Sequence, residues 1–351
     1  MDRTLEAHIA AVDAEIRSLL SAPEPALQPF YGMMLYHLGL DAERAAGGKR
    51  LRPVLCTLLF EAVTGDGRRA LPAAAAIELL HNFTLIHDDI EDQDPARHHR
   101  PAVWSVWGVP HAINAGDGMF AVSRLAAQRL RGFSAERVLE FTALLDGACV
   151  RVCEGQFLDI SFETRTDVTL ERYRAMAARK TGALFAAAAE GAAVLASDDR
   201  SLRELLGRFG QAFGQAFQAH DDLLGIWASA ERTGKIEMND LTKRKKTLPV
   251  VLAFERASPG GRDRLAALFE PAAPLPVENV ERIREVLDEL GVRPLIEAEI
   301  ATHRARALEV LRGITPRAAA RDALALLEKL VTAATGAAET IPAGAPGGPG
   351  A

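Results

Sequence analysis

Residues 85–101 read LIHDDIEDQDPARHHRP. Five carboxylates, Asp88, Asp89, Glu91, Asp92 and Asp94, fall within seven positions, and Arg97, His98, His99 and Arg100 follow. The segment before them, 70–87, is apolar at three- and four-residue spacing and on nearly every side. That pattern predicts a helix shielded at the centre of a bundle. Positions four apart share a helix face, so Asp88 and Asp92 point the same way, and Thr84 and His81 extend the stripe downward. Two parallel carboxylates one turn apart repel unless a cation lies between them. An oxygen-rich set without sulfur suits Mg2+ or Mn2+. The alternative is a solvated acidic helix end. The helix dipole stabilises such acids at an N-terminus, whereas these follow a long apolar helix at its unfavourable end, and this favours the metal.

Working outward, helix-spaced apolar residues recur in 5–20, 51–63, 70–92, 111–130, 135–160, 170–195, 201–227, 246–256, 279–289, 294–312 and 317–334. None shows the period-two alternation of a half-buried strand. The breaks carry turn chemistry: Ala22-Pro23, Gly65-Asp66-Gly67, Ser197-Asp198-Asp199, Ser258-Pro259-Gly260-Gly261 and Gly291. The expectation is an all-α protein, one large helical bundle over residues 1–335. The small residues of 182–196 allow close helix approach and leave room for a cavity. The stretch GAAETIPAGAPGGPGA, 336–351, reads as a disordered Gly/Pro/Ala tail.

Of 351 residues, 48% are hydrophobic and 25% charged, with a formal net charge of −6. This is ordinary for a globular protein and gives no whole-chain signal for nucleic acid or an anionic membrane. The opening MDRTLEAHIAAVDAEIRSLL lacks the basic and apolar regions of a signal peptide. Glu78 and Glu190 interrupt the most apolar stretches, so no transmembrane segment and a cytoplasmic location are expected. Three cysteines argue against a disulfide framework. Cys149 and Cys153 share a helix face and read as small packing residues.

A second acidic cluster, FQAHDDLLG at 217–225, also ends an apolar helix and aligns Gln218, Asp221, Asp222 and Gly225. Two Asp-Asp pairs, each after an apolar helix, point to facing metal ligands across a shared pocket. Basic residues complement them: Lys49, Arg50 and Arg52 in GGKRLRP (47–53), Lys180 before Thr181-Gly182, and Lys235, Lys243, Arg244, Lys245 and Lys246. A basic run alone is usually solvated surface. Combined with Mg2+-type carboxylates, these cations fit a diphosphate ligand.

GGKRLRP (47–53), ELLHNFTLIHDDIED (78–92), AINAGDGMF (112–120), CEGQFLDI (153–160), KTGALF (180–185), FQAHDDLLG (217–225), TGK (233–235) and DLTKRKKTLPV (240–250) occur in that order. In this set the chain resembles the trans-isoprenyl diphosphate synthases, or polyprenyl synthetases, over roughly residues 25–330. The resemblance implies the isoprenoid synthase fold, helices around a deep central cavity, in a homodimer. It implies that an allylic diphosphate (C5–C15) ionises, isopentenyl diphosphate attacks the carbocation, and a proton is lost. It implies Mg2+, three ions with substrate bound, or Mn2+. By motif position, Asp88, Asp92 and Asp221 are the metal ligands and Asp89 and Asp222 supporting acids. Lys49, Arg52 and His81 form the isopentenyl diphosphate site. Arg97, Lys180 and Lys235 hold the allylic diphosphate, and Lys245 adds charge. Thr181 and Gln218 put oxygens beside the carbocation, and Gln156 and Asp159 line the cleft.

Three positions depart from the family pattern. Arg-Arg-Gly is replaced by Arg97-His98-His99, so His98, or Arg100 in its place, is expected at isopentenyl diphosphate. A protonated His98 would make that Michaelis constant vary between about pH 6 and 8. Gly225 replaces the third aspartate of the second motif, leaving Asp221 and water. Arg244 replaces a glycine. For product length, Phe83, five residues before Asp88, is bulky, Thr84 is small, and the first motif carries no insertion. That combination resembles enzymes making geranylgeranyl diphosphate (C20), with farnesyl (C15) and C25 or longer as alternatives; Phe83 as ordinary core is the other reading. Two rival classes are a class I terpene synthase and a non-catalytic subunit of a heteromeric synthase. GGKRLRP and the Asp-Asp second motif count against the first, and the retained Asp88, Asp92 and Asp221 against the second.

Overall fold

The structure is a computed structural model that describes residues 3–41, 48–228, 239–270, 274–314 and 321–336. The longer helices run in chain order as α1 Arg3–Leu19, α2 Gln28–Leu38, α3 Leu51–Thr64 and α4 Leu71–Glu91. A two-stranded hairpin follows, β1 Ala96–Arg97 and β2 Arg100–Pro101. Then come α5 Val103–Trp107, α6 Val109–Ala127, α7 Ala135–Phe162, α8 Leu170–Ala177, α9 Ala183–Ala196 and α10 Arg200–Trp227. The chain closes with α11 Asn239–Thr242, α12 Leu248–Arg256, α13 Pro259–Leu268, α14 Val277–Glu289, α15 Val292–Arg312 and α16 Arg321–Ala334. The architecture is the expected all-α isoprenoid synthase fold. No helix among the described residues is long and apolar enough to cross a membrane. Of the tail, residues 337–351 lie outside the described residues, as does Lys235.

The two helices that read as apolar all round hold the centre. In α9, eleven of fourteen residues are buried, most of them alanine. In α4, the run Ala73–Leu80 is wholly buried. Small side chains let α9 lie close to α3, α7 and α10. Two apolar clusters result: a large one that includes α3, α4 and α9, and a second around α12, α14 and the C-terminal half of α10.

Local signals also misled. Helix α2 was not expected, because Pro29 and Gly32 weaken its propensity; the proline sits in its first turn, where no hydrogen bond is lost. The Ser-Pro-Gly-Gly break opens α13 instead, with Ser258 Oγ accepting from Gly261 N as an N-cap. The segment 170–195 is not one helix. A π-helical turn, Ala178–Gly182, divides it. The hairpin at 96–101 turns on His98 and His99, both in the left-handed region at φ 51° and 61°. Cys153 is exposed rather than packed, while Cys56 is buried.

Arg50 ties four helices together. It precedes α3 in a left-handed conformation, φ 51°. Its Nε donates to Asp13 Oδ1 of α1 at 2.8 Å, Nη1 to Glu78 Oε1 of α4 at 3.2 Å, and Nη2 to Leu38 O of α2 at 2.6 Å. Asn82 Nδ2 donates to the same Glu78 oxygen at 3.0 Å. Arg50 is thus an internal strut, not one of the solvated cations its neighbours in GGKRLRP suggest.

Candidate active site

Asp88 and Asp92 stand at the C-terminal end of α4, and Asp92 is its C-cap. Burial pushes the Asp88 carboxyl up to about 6, with Asp92 adding to the push and Lys180 and Arg97 opposing it. Asp92 Oδ2 is 2.5 Å from Lys245 Nζ, which is also 3.7 Å from Asp159 Oδ2. Lys180 Nζ lies 2.5 Å from the same Asp159 oxygen. Against the effect of burial, Lys180 and Lys245 hold Asp159 below the usual carboxylate range. Lys243 pairs with Asp94. Acids from α4 and α7 therefore meet lysines from the π turn and from the 243–247 loop in one cluster. Asp89 faces inward, where its Oδ1 accepts from Arg97 Nε at 2.8 Å and lies 2.7 Å from Arg97 Nη2. Gln156 Nε2 donates to Glu91 Oε2 at 2.7 Å.

The π turn carries Lys180 and Thr181. One extra residue in the turn re-aims the side chains that follow it, and such turns recur at functional sites. A Cβ on Gly155 would stand 2.3 Å from Lys180 N, so only glycine lets α7 lie backbone to backbone against this turn. Thr181 Oγ1 donates to Gln218 Oε1. Gln218 Nε2 donates to Asp222 Oδ1 at 2.7 Å. Asp222 Oδ2 accepts from Tyr173 Oη at 2.6 Å and from Leu248 N at 2.8 Å. Burial pushes Asp222 up to about 7 against the pull of these donors. Asp221 acts on the Arg52 guanidinium from the second cluster.

Arg52 Nη1 is 3.0 Å from His81 Nε2, and its guanidinium lies 4.3 Å from the centre of the Phe185 ring. Burial lowers Arg52 to about 10, and its buried Nε has no hydrogen-bond partner among the described residues. A buried cation with an unused donor suits an anion. Burial, then Arg52, keeps His81 well below the usual histidine range. A guanidinium only donates, so His81 Nε2 accepts and the neutral ring carries its proton on Nδ1. Lys49, three residues before Arg52, is exposed, and His98 Nε2 would be 3.6 Å from a Cβ on Gly48. Arg100 is committed elsewhere: it makes two hydrogen bonds to Asp41, at 2.9 and 2.8 Å, and lies over the Tyr36 ring at 3.9 Å.

Lys246 is not a surface cation either. It is 2% exposed, and its Nζ donates to Glu163 O at 2.9 Å and Arg244 O at 2.8 Å. Arg244, at the family's glycine position, has φ 62° and keeps the left-handed backbone that glycine would adopt. At Gly225, a Cβ would stand 2.9 Å from Asp240 Oδ2. Asp240 thus places a carboxylate beside the position where the second motif lacks one. The sequence reading gave Asp240 no role; its place in DLTKRKKTLPV was the available signal.

Phe83 is buried below the acidic cluster, its ring edge-on to Phe120 at 5.2 Å and His87 at 5.8 Å. Thr84 Oγ1 is bonded to His81 O at 2.7 Å. Asp88 and Asp92 fit a hard divalent cation: both offer only oxygen, and Asp88 is half-buried and repelled by its neighbour.

The polyprenyl synthetase family model matches residues 39–290. The (2E,6E)-farnesyl diphosphate synthase of Mycobacterium tuberculosis is 38% identical over 87% of this chain and 86% of its own. A geranylgeranyl diphosphate synthase of the same organism is 41% identical over 77% of this chain and 78% of its own. The crystal structure of geranylgeranyl pyrophosphate synthetase from Pyrococcus horikoshii superposes with a TM-score of 0.83 at 33% identity, covering 94% of this chain and 97% of that one. The chain belongs to the polyprenyl synthetase family, the trans-prenyltransferases of the isoprenyl diphosphate synthase class.

Proposed function

We propose that this enzyme condenses isopentenyl diphosphate with C5–C15 allylic diphosphates and releases all-trans geranylgeranyl diphosphate. The observation that carries the reading is the paired carboxylates Asp88 and Asp92, met by Lys180, Lys245 and Arg97, at the end of the helix that buries Phe83. Asp88, Asp92 and Asp221 would hold Mg2+, which when bound supplies Lewis-acid charge to the allylic diphosphate. Arg97, Lys180 and Lys245, with Lys235, bind that diphosphate and stabilise its departure. Lys49, Arg52, His81 and His98 hold isopentenyl diphosphate, so that its double bond faces the allylic carbon. Thr181 and Gln218 set oxygens beside the positive charge, with Gln156 and Asp159 shaping the cleft. Apolar walls keep water from the cation.

The decisive assay incubates the purified protein with Mg2+, radiolabelled isopentenyl diphosphate and each of the C5, C10 and C15 primers, then sizes the products. A C20 product supports the reading, and C15 as the end product assigns a farnesyl synthase. Hydrocarbon release without isopentenyl diphosphate assigns a terpene synthase, and no turnover by the single chain a partner subunit. Phe83→Ala should lengthen the product by at least one five-carbon unit; an unchanged product removes Phe83 from the floor.

Asp240 supplies the carboxylate that Gly225 lacks. Asp240→Asn should raise the Mg2+ concentration for half-maximal rate by about tenfold, the weight of one outer ligand contact. An unchanged Mg2+ dependence would remove Asp240 from the metal's surroundings.

The homodimer is proposed through α6 and α7. Ile113 and Leu125 on α6, and Leu139, Val150 and Phe157 on α7, are exposed apolar residues, with Phe157 69% exposed. Such a surface on two neighbouring helices suits burial against a second copy. Phe157→Glu should yield monomer by light scattering.

A further inference from the structure

We infer that Tyr173 is a positioning residue for the reaction, acting through Asp222 and Gln218 to hold Thr181 as a hydrogen-bond acceptor facing the substrate. The inference rests on the proposed reading of Thr181 as a group beside the carbocation. It follows from counting protons along the chain of contacts. Tyr173 is 3% exposed on α8, and its hydroxyl reaches Asp222 Oδ2 at 2.6 Å. Leu248 N, at the start of α12, donates to the same oxygen at 2.8 Å. With two donors on Oδ2, the amide of Gln218 turns its Nε2 to Oδ1, at 2.7 Å. Gln218 Oε1 therefore points to Thr181, and an amide oxygen can only accept. The single hydroxyl proton of Thr181 is committed to Gln218. Its oxygen keeps lone pairs free and has no proton to offer.

That polarity suits the chemistry. A free hydroxyl rotor beside a departing diphosphate would turn its proton toward the anion and its oxygen away from the cation. A hydroxyl whose proton is already held presents the negative end of its dipole to the allylic carbon, with no reorganisation when charge develops. Tyr173 takes no part in binding either diphosphate. It holds one oxygen of Asp222 from α8, while α10 contributes Gln218 and Asp222 and the π turn contributes Thr181. The chain thus joins α8 and the π turn that continues it to α10.

A double-mutant cycle on the Mg2+-loaded enzyme tests this. Tyr173→Phe removes one oxygen and should lower kcat about tenfold, the weight of one charge-assisted hydrogen bond, with both Michaelis constants unchanged. Thr181→Val should lower kcat further. In the Thr181→Val background, Tyr173→Phe should add no loss, because the residue it acts through is already gone. Equal losses in both backgrounds overturn the proposal, since an independent structural role would add. A loss carried by the Michaelis constants overturns it too, as does a Tyr173→Phe chain that fails to fold by circular dichroism. Wild-type protein without prenyl transfer would instead defeat the functional reading beneath it.

Discussion

Asp88→Asn should lower kcat for prenyl transfer by at least about a thousandfold without lowering the thermal stability of the metal-free protein. The activity loss follows from its role. Removing one well-aimed electrostatic contact at developing charge costs about 100- to 1,000-fold, and a metal ligand both binds the ion and places it. The stability result follows from burial. The unliganded carboxyl is pushed up to about 6 by burial, and Asp92 adds to the push. An acid whose folded value lies above its unfolded value binds its proton more tightly when folded. Stability therefore declines as pH rises from about 4 through about 6, and none of that contribution remains at pH 7 to 8. Asparagine keeps the shape without the charge. At pH 7.5 in Mg2+-free buffer, the variant should melt at the wild-type temperature or a few degrees above. Calorimetry and a radiolabel transfer assay provide the two readings. Wild-type turnover in Asp88→Asn would exclude it as a metal ligand.

Arg50→Met should destabilise the fold by about 3–5 kcal/mol, read by urea unfolding. The guanidinium is 4% exposed and bonds Asp13, Glu78 and Leu38 O. Truncation leaves the Glu78 carboxylate, itself 3% exposed, with a lost cation. Most of the cost is that stranded charge rather than the bonds themselves. Glu78→Gln in the same chain should then recover a substantial part, because the amide keeps an oxygen for Asn82 and carries no charge. Equal losses in the single and double variants would show that the strut acts by packing alone.

The first acidic pair was legible because its geometry is local. Asp88 and Asp92 share a helix face, and the apolar stretch before them identifies the helix and its depth. The same holds for the chain Gln218, Asp221 and Asp222, and for the central place of α4 and α9. Residues joined across elements were not legible. Arg100, a candidate for the substrate, belongs to Asp41, 59 positions away. Lys246 lies among surface-like lysines in sequence, yet the second apolar cluster encloses it, with its ammonium over the Phe269 ring. Nothing at Gly225 indicates that Asp240 will fill the space beside it.

By itself, the sequence determined that this chain is a helical bundle whose apolar helices end in carboxylate pairs, and that basic segments accompany them. Those features depend on helix periodicity and on the cost of clustering like charges, and both act over a few residues. Only the tertiary structure decided which cation meets which acid, which arginine is a strut, and which way the Thr181 proton points. These depend on packing between helices, where one glycine at 155 or one extra residue in a turn moves a side chain by ångströms, and hydrogen bonds and ion pairs form or fail over that distance.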